Sequence, residues 1–151
     1  MITYESVDDF VAMKGEVLGT SEWVRVTQEQ INMFADATGD HSWIHVDQER
    51  AAAGPFGTTI AHGLMTLSMV QDLARQMWQV EGINMIVNYG MNKVRFPAPV
   101  PAGSRVRARL VLVGVEPVSS DAWQATISVI VEIEGGTKPA VASELVLRMV
   151  S

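Results

Sequence analysis

At 151 residues, 48% of them hydrophobic and none cysteine, the chain can enclose one core without staples, and it excludes disulfide scaffolds, Cys-ligated zinc, iron–sulfur clusters and a cysteine nucleophile. A formal net charge of −6 opposes generic nucleic-acid binding, which needs a basic face to displace phosphate counterions. The N-terminus is acidic where an export signal would be basic, and no apolar run reaches the ~20 residues of a membrane helix, so the expectation is a single domain over residues 1–151, cytoplasmic and not membrane-inserted.

Ser6 to Phe10 has the form of a capped, acid-rich first turn, and Gly15 should stop that short helix. Glu16 to Val26 alternates around Val17, Trp23, Val24 and Val26, which predicts a strand broken at Gly19-Thr20-Ser21. Thr27-Gln28-Glu29-Gln30 fits a capping box, so a helix should begin at Gln28; Ile31, Phe34, Ala35 and Thr38 follow at helical spacing, and Gly39 suits the C′ position. Asp40 is thereby delivered just beyond a helix end. Asp47 to Ala53 reads as another short helix, capped by Asp47 and closed by Gly54-Pro55.

His62 to Gln79 is the longest helical stretch. Leu64, Leu67, Met69, Val70, Leu73, Ala74, Met77 and Trp78 cover most of its circumference, so it must be enclosed, with only a narrow polar edge at Gln71, Asp72, Arg75 and Gln76. From Ile83 the character changes. Ile83–Phe96, Arg105–Val115, Ala122–Glu134 and Ala140–Val150 are β-branched runs separated by Pro/Gly-rich turns, which predicts an antiparallel meander. The fold class is α+β, a curved antiparallel sheet wrapped around a long central helix.

Between Glu81 and Glu116 stand Lys93, Arg95, Arg105, Arg107 and Arg109 with no acidic residue among them. They read either as a solvated strand face or as a patch for a small polyanion such as the phosphates of coenzyme A.

The stretch from Phe34 to Leu67 holds every histidine of the chain. Asp40 and His45 would lie about 140° apart on an ideal helix, so a loop is needed to aim both at one point. A carboxylate and an imidazole converging on one water form a general acid/base pair; the plainer reading of Asp40 is a turn former. His62-Gly63 opens the central helix, where unpaired N–H groups favour negative charge and the missing side chain admits a substrate carbonyl. A thioester oxygen held by the Gly63 N–H would be polarised; the plainer reading is that Gly63 only permits close packing. His41 is expected to be exposed and His62 to support the helix start. No HExxH-like spacing connects Asp40, His41, His45, Asp47 and His62, so no metal is expected, and no G-x-S-x-G elbow supports a serine hydrolase.

Over nearly its whole length the sequence resembles the MaoC-like dehydratases, which include the (R)-specific enoyl-CoA hydratases and have a hot dog fold. The most specific match runs from Phe34 through Gly39-Asp40-His41-Ser42-Trp43-Ile44 to His45, followed by Ile60-Ala61-His62-Gly63-Leu64; Tyr89-Gly90 and Arg95 to Gly103 add weaker support. The chain departs from the family at Ser42-Trp43, where Asn-Pro is usual, and so lacks the rigidity and side-chain contact that Asn-Pro would give.

The resemblance implies reversible hydration of a trans-2-enoyl thioester to an (R)-3-hydroxyacyl thioester. Asp40 and His45 would activate the water, with the order of proton transfers open. Gly63, supported by His62, would hold the thioester oxygen, and Lys93, Arg95 and Arg105 could contact coenzyme A phosphates. No cofactor is implied beyond the coenzyme A of the substrate, and a homodimer joined edge to edge is expected. The alternatives are an (R)-3-hydroxyacyl dehydratase acting on acyl carrier protein, an acyl-CoA thioesterase, which would release free thiol, and a non-catalytic acyl-thioester-binding subunit.

Overall fold

The computed structural model describes all 151 residues. Three of its five helices begin where a side chain satisfies an otherwise unpaired N–H group. Helix α1 (Val7–Ala12) starts on Ser6, whose hydroxyl accepts the Asp9 N–H, and inserts Phe10 into the core. Helix α2 (Gln28–Thr38) starts on a complete capping box: Thr27 Oγ1 accepts the Gln30 N–H at 3.2 Å, and Gln30 Oε1 accepts the Thr27 N–H at 2.9 Å. It ends on Gly39 in the left-handed conformation, φ 80°. Helices α3 (Trp43–Val46) and α4 (Gln48–Ala52) follow, the latter capped by Asp47, and α5 (Gly63–Arg75) is the central helix.

The strands are β1 (Ile2–Tyr4), β2 (Val17–Thr20), β3 (Val24–Arg25), β4 (Trp78–Val80), β5 (Met85–Arg95), β6 (Arg105–Ser119), β7 (Ala122–Ile133) and β8 (Val141–Val150). The main sheet runs β2-β6-β7-β8-β5, with β3 also paired to β6, and its pairings are antiparallel. Val106, Ala108, Leu110 and Leu112 of β6 and Ala125, Ile127, Val129 and Val131 of β7 are fully buried at a period of two. Opposite them α5 turns in Met65, Leu67, Val70 and Leu73, and the whole forms one cluster of 28 buried residues. The curved sheet about a helix is as the sequence predicts.

Four details depart from the sequence reading. The break between β2 and β3 falls at residues 21–23, because Gly19 and Thr20 still pair with Leu110 and Arg109. Helix α5 stops at Arg75, not Gln79, because Trp78–Val80 pairs in parallel with Ile2–Tyr4, and Trp78 stacks on Phe10 with ring centroids 4.7 Å apart. One side of α5 is open rather than enclosed, leaving Leu64 exposed. Only β6, β7 and β8 form a meander; β5 pairs with β8 at the far edge.

That last departure places the proline-rich segment. Residues 97–103 are a crossover, not a turn: Ala61 N–H donates to Val100 O at 2.8 Å and Ala102 N–H to Thr59 O at 2.9 Å. The crossover thus fixes the chain just before α5. No helix is long and apolar enough to cross a membrane.

Candidate active site

The left-handed Gly39 turns the chain out of α2, and Asp40 follows with its Oδ1 accepting the Ser42 N–H at 3.3 Å. His45 does not ride on the same loop, as the sequence reading supposed, but on the single-turn helix α3. Convergence survives because Asp40 lies before that helix begins. Side-chain ligand atoms of Asp40, His45 and His62 all lie within 4.8 Å of one another, with Asp40 exposed and both histidines buried.

Hydrogen bonding fixes the imidazoles. His45 Nδ1 lies 2.7 Å from Ile60 O; a carbonyl only accepts, so Nδ1 carries a proton and Nε2 is the nitrogen left to accept one. His62 Nε2 donates in the same way to Asp40 O at 2.9 Å, and its Nδ1 is buried without a partner in the chain. His62 stands at the N-cap of α5 yet makes no side-chain cap bond; what it supports is the Asp40 loop. The two rings stack with centroids 3.8 Å apart and planes 25° apart.

That stacking bears on metal binding. An imidazole ligates along a lone pair in its own plane, and these two rings, stacked face to face with centroids 3.8 Å apart, hold those planes side by side so that they do not meet within a metal–nitrogen bond length. The Asp40–His45–His62 set therefore has the composition of a metal site without its orientation.

Gln28 was legible only as a position inside the capping-box stretch, between Thr27 and Gln30, yet it braces the site. Its Nε2 donates to His45 O at 2.8 Å and its Oε1 accepts from the Thr59 hydroxyl. Trp43 supplies rigidity where Asn-Pro is missing. The Arg50 guanidinium lies 4.4 Å above its ring, and Gly54 packs so tightly against it that an added Cβ would come within 3.0 Å. His41 is exposed as expected; its hydrogen bond to Asp36, at 2.9 Å, raises its pKa above the ordinary imidazole value.

As first residue of α5, Gly63 has no intrahelical acceptor for its N–H. Phe96 faces it across a gap too small for a methyl group: a Cβ on Gly63 would lie 2.8 Å from Phe96 Cγ. His45, Gly63, Thr66, Phe96 and Val100 border a cavity of about 300 Å³.

The basic residues divide. Lys93 pairs with Glu144 at 2.7 Å, Arg105 with Glu134, and Arg107 with Glu132 at 2.7 Å, all across neighbouring strands. Arg95 has no such carboxylate and donates to Val94 O, beside Phe96. Of the three residues read as phosphate contacts, Lys93 and Arg105 are thus already compensated within the chain.

A model of the MaoC like domain matches residues 9–133. The 3-hydroxyacyl-thioester dehydratase Z of Mycobacterium tuberculosis is 60% identical over 151 residues, covering 100% of both chains. Nodulation protein N of Rhizobium leguminosarum bv. viciae is 44% identical over 140 residues, 91% of this chain and 87% of the relative. Among solved structures, the (R)-hydratase from A. caviae involved in PHA biosynthesis superimposes with a TM-score of 0.67 at 27% identity, covering 87% of this chain and 95% of that one. A monoamine oxidase regulatory protein from Archaeoglobus fulgius, at 22% identity, gives 0.79 over 99% of this chain and 97% of its own, a likeness of fold.

Proposed function

We infer the reaction from the family to which this chain belongs, the MaoC-like dehydratases of hot dog fold, hydro-lyases in which a domain of this kind works on acyl thioesters. We propose that it adds water reversibly to a trans-2-enoyl-CoA to give the (R)-3-hydroxyacyl-CoA. The observation that carries this reading is the meeting of Asp40 with His45 at the tip of α5, next to an unpaired Gly63 N–H.

The thioester oxygen accepts the Gly63 N–H. Water donates one hydrogen to the Asp40 carboxylate and the other to His45 Nε2, which turns an oxygen lone pair toward the β carbon. As the C–O bond forms, the C=C electrons shift to the thioester oxygen and the enolate is held at the helix tip. Asp40 takes the proton and passes it to the α carbon, restoring both groups; dehydration is the reverse. No cofactor enters, and the acyl chain lies along α5.

Crotonyl-CoA should lose its enoyl-thioester absorbance when the protein is added, and the product should be the (R) enantiomer by chiral chromatography. An (S) product, or release of free thiol without hydration, would overturn the reading. Rates on the matching acyl-carrier-protein thioester decide the carrier.

We further propose a homodimer. Strand β5 is an open edge with Met85, Ile86, Val87 and Tyr89 exposed and no charge before Lys93, an edge that natural sheets pair or protect. Light scattering should give twice the mass of the 16.5 kDa chain; a stable monomer would refute this.

A further inference from the structure

Farther along α5 lies a second cavity, of about 240 Å³, lined by Gln71, Ala74, Arg75, Trp78, Ile86 and Leu147. It shares no lining residue with the cavity beside His45. Its polar groups are unusual. Trp78 is 5% exposed, and neither its Nε1–H nor the Gln71 Nε2 meets an acceptor in the chain. An indole N–H can only donate, and a buried donor without a partner is destabilising, so the lining calls for an acceptor. No aspartate or glutamate lines the cavity, and the one charged lining residue is the Arg75 guanidinium. The remaining walls, Ala74, Ile86 and Leu147, are apolar.

We propose that this cavity receives the distal end of the acyl group, and that Gln71 and Trp78 select acyl chains ending in a hydrogen-bond-accepting oxygen, a carbonyl or a carboxylate. The inference rests on the hydratase reading above, which sets the thioester oxygen at Gly63 and the acyl chain along α5. Gln71 stands eight residues beyond Gly63, about 12 Å of helical rise, so the acyl group must span about that distance. An alkyl terminus would leave both donors unpaired, whereas an oxygen satisfies them. Sites built to hydrogen-bond a substrate group discriminate strongly against analogues that lack it.

The test compares kcat/KM for three trans-2-enoyl-CoA substrates of equal length, ending in a methyl group, a methyl ester or a carboxylate, with crotonyl-CoA alongside. The oxygen-terminated substrates should exceed the methyl-terminated one by about tenfold or more, the expected effect of one well-made hydrogen bond to a buried donor. The carboxylate leads if Arg75 engages it; the ester equals it if only the neutral donors act. Gln71→Leu, at a half-buried position, should lower the rate on the oxygen-terminated chains and raise it on the alkyl chain. Trp78→Phe keeps the stack on Phe10 and should act in the same direction. Equal or better use of the alkyl chain by the wild type, or a preference that survives both substitutions, overturns the inference while leaving the hydratase reading intact. Failure to turn over any of the substrates, crotonyl-CoA included, defeats that reading and this inference with it.

Discussion

Asp40→Asn is expected to lower turnover by about two to four orders of magnitude while leaving the fold intact. The amide keeps the shape of the carboxylate but has almost no affinity for a proton at neutral pH. Little stability is at stake, because Asp40 is exposed and its carboxylate accepts a single intrachain bond, the 3.3 Å contact from Ser42. His45→Gln should reduce the rate as severely, but at greater structural cost. The ring is 8% exposed, donates to Ile60 O and stacks on His62, so its removal should cost about 1–3 kcal/mol. Rates with saturating crotonyl-CoA and thermal melts of both variants check this. The double variant should be no slower than the worse single one, because two groups handling one water fail together. Near-normal turnover in either single variant would remove these residues from the reaction.

Local chemistry was legible where it is local. Thr27 and Gln30 announce the start of α2 and Gly39 its end, which places Asp40 in a loop; the spacing from Asp40 to His45 was a weak signal by itself, and the resemblance joined them. What the sequence hid was set by partners distant in the chain. Met77 and Trp78 continue a helical apolar pattern, and only the pairing of Trp78–Val80 with Ile2–Tyr4 shows that the helix has ended. Pro97 to Gly103 looks like a turn between neighbouring strands, but β5 has gone to the opposite edge.

The site follows the same rule. Ile60 holds His45 through a backbone carbonyl, a contact that places no demand on the Ile60 side chain and so leaves no mark in the residue pattern. Gln28 sits in the first turn of α2 between the two capping residues, but its side chain bonds His45 O and the Thr59 hydroxyl, a role with no local motif. Lys93, Arg105 and Arg107 looked uncompensated because their partners Glu144, Glu134 and Glu132 lie on or just beyond strands that the chain reaches later.

Gly63→Ala should be the most informative change at the helix tip. Its methyl group would meet three atoms of the Phe96 ring at 2.8–3.0 Å, distances that real Cβ atoms do not adopt, so the ring must swing away. Phe96 is 43% exposed and has room to do so, which limits the stability loss to about 1–3 kcal/mol. The rate should fall further than packing explains, by about 10²–10³, because the methyl stands beside the N–H that holds the developing oxyanion. Pairing the change with Phe96→Ala separates the two effects. Removing the ring relieves the clash, so the double variant should recover its melting temperature yet stay slow. If turnover returns along with stability, Gly63 serves only close packing, and the oxyanion must be held elsewhere.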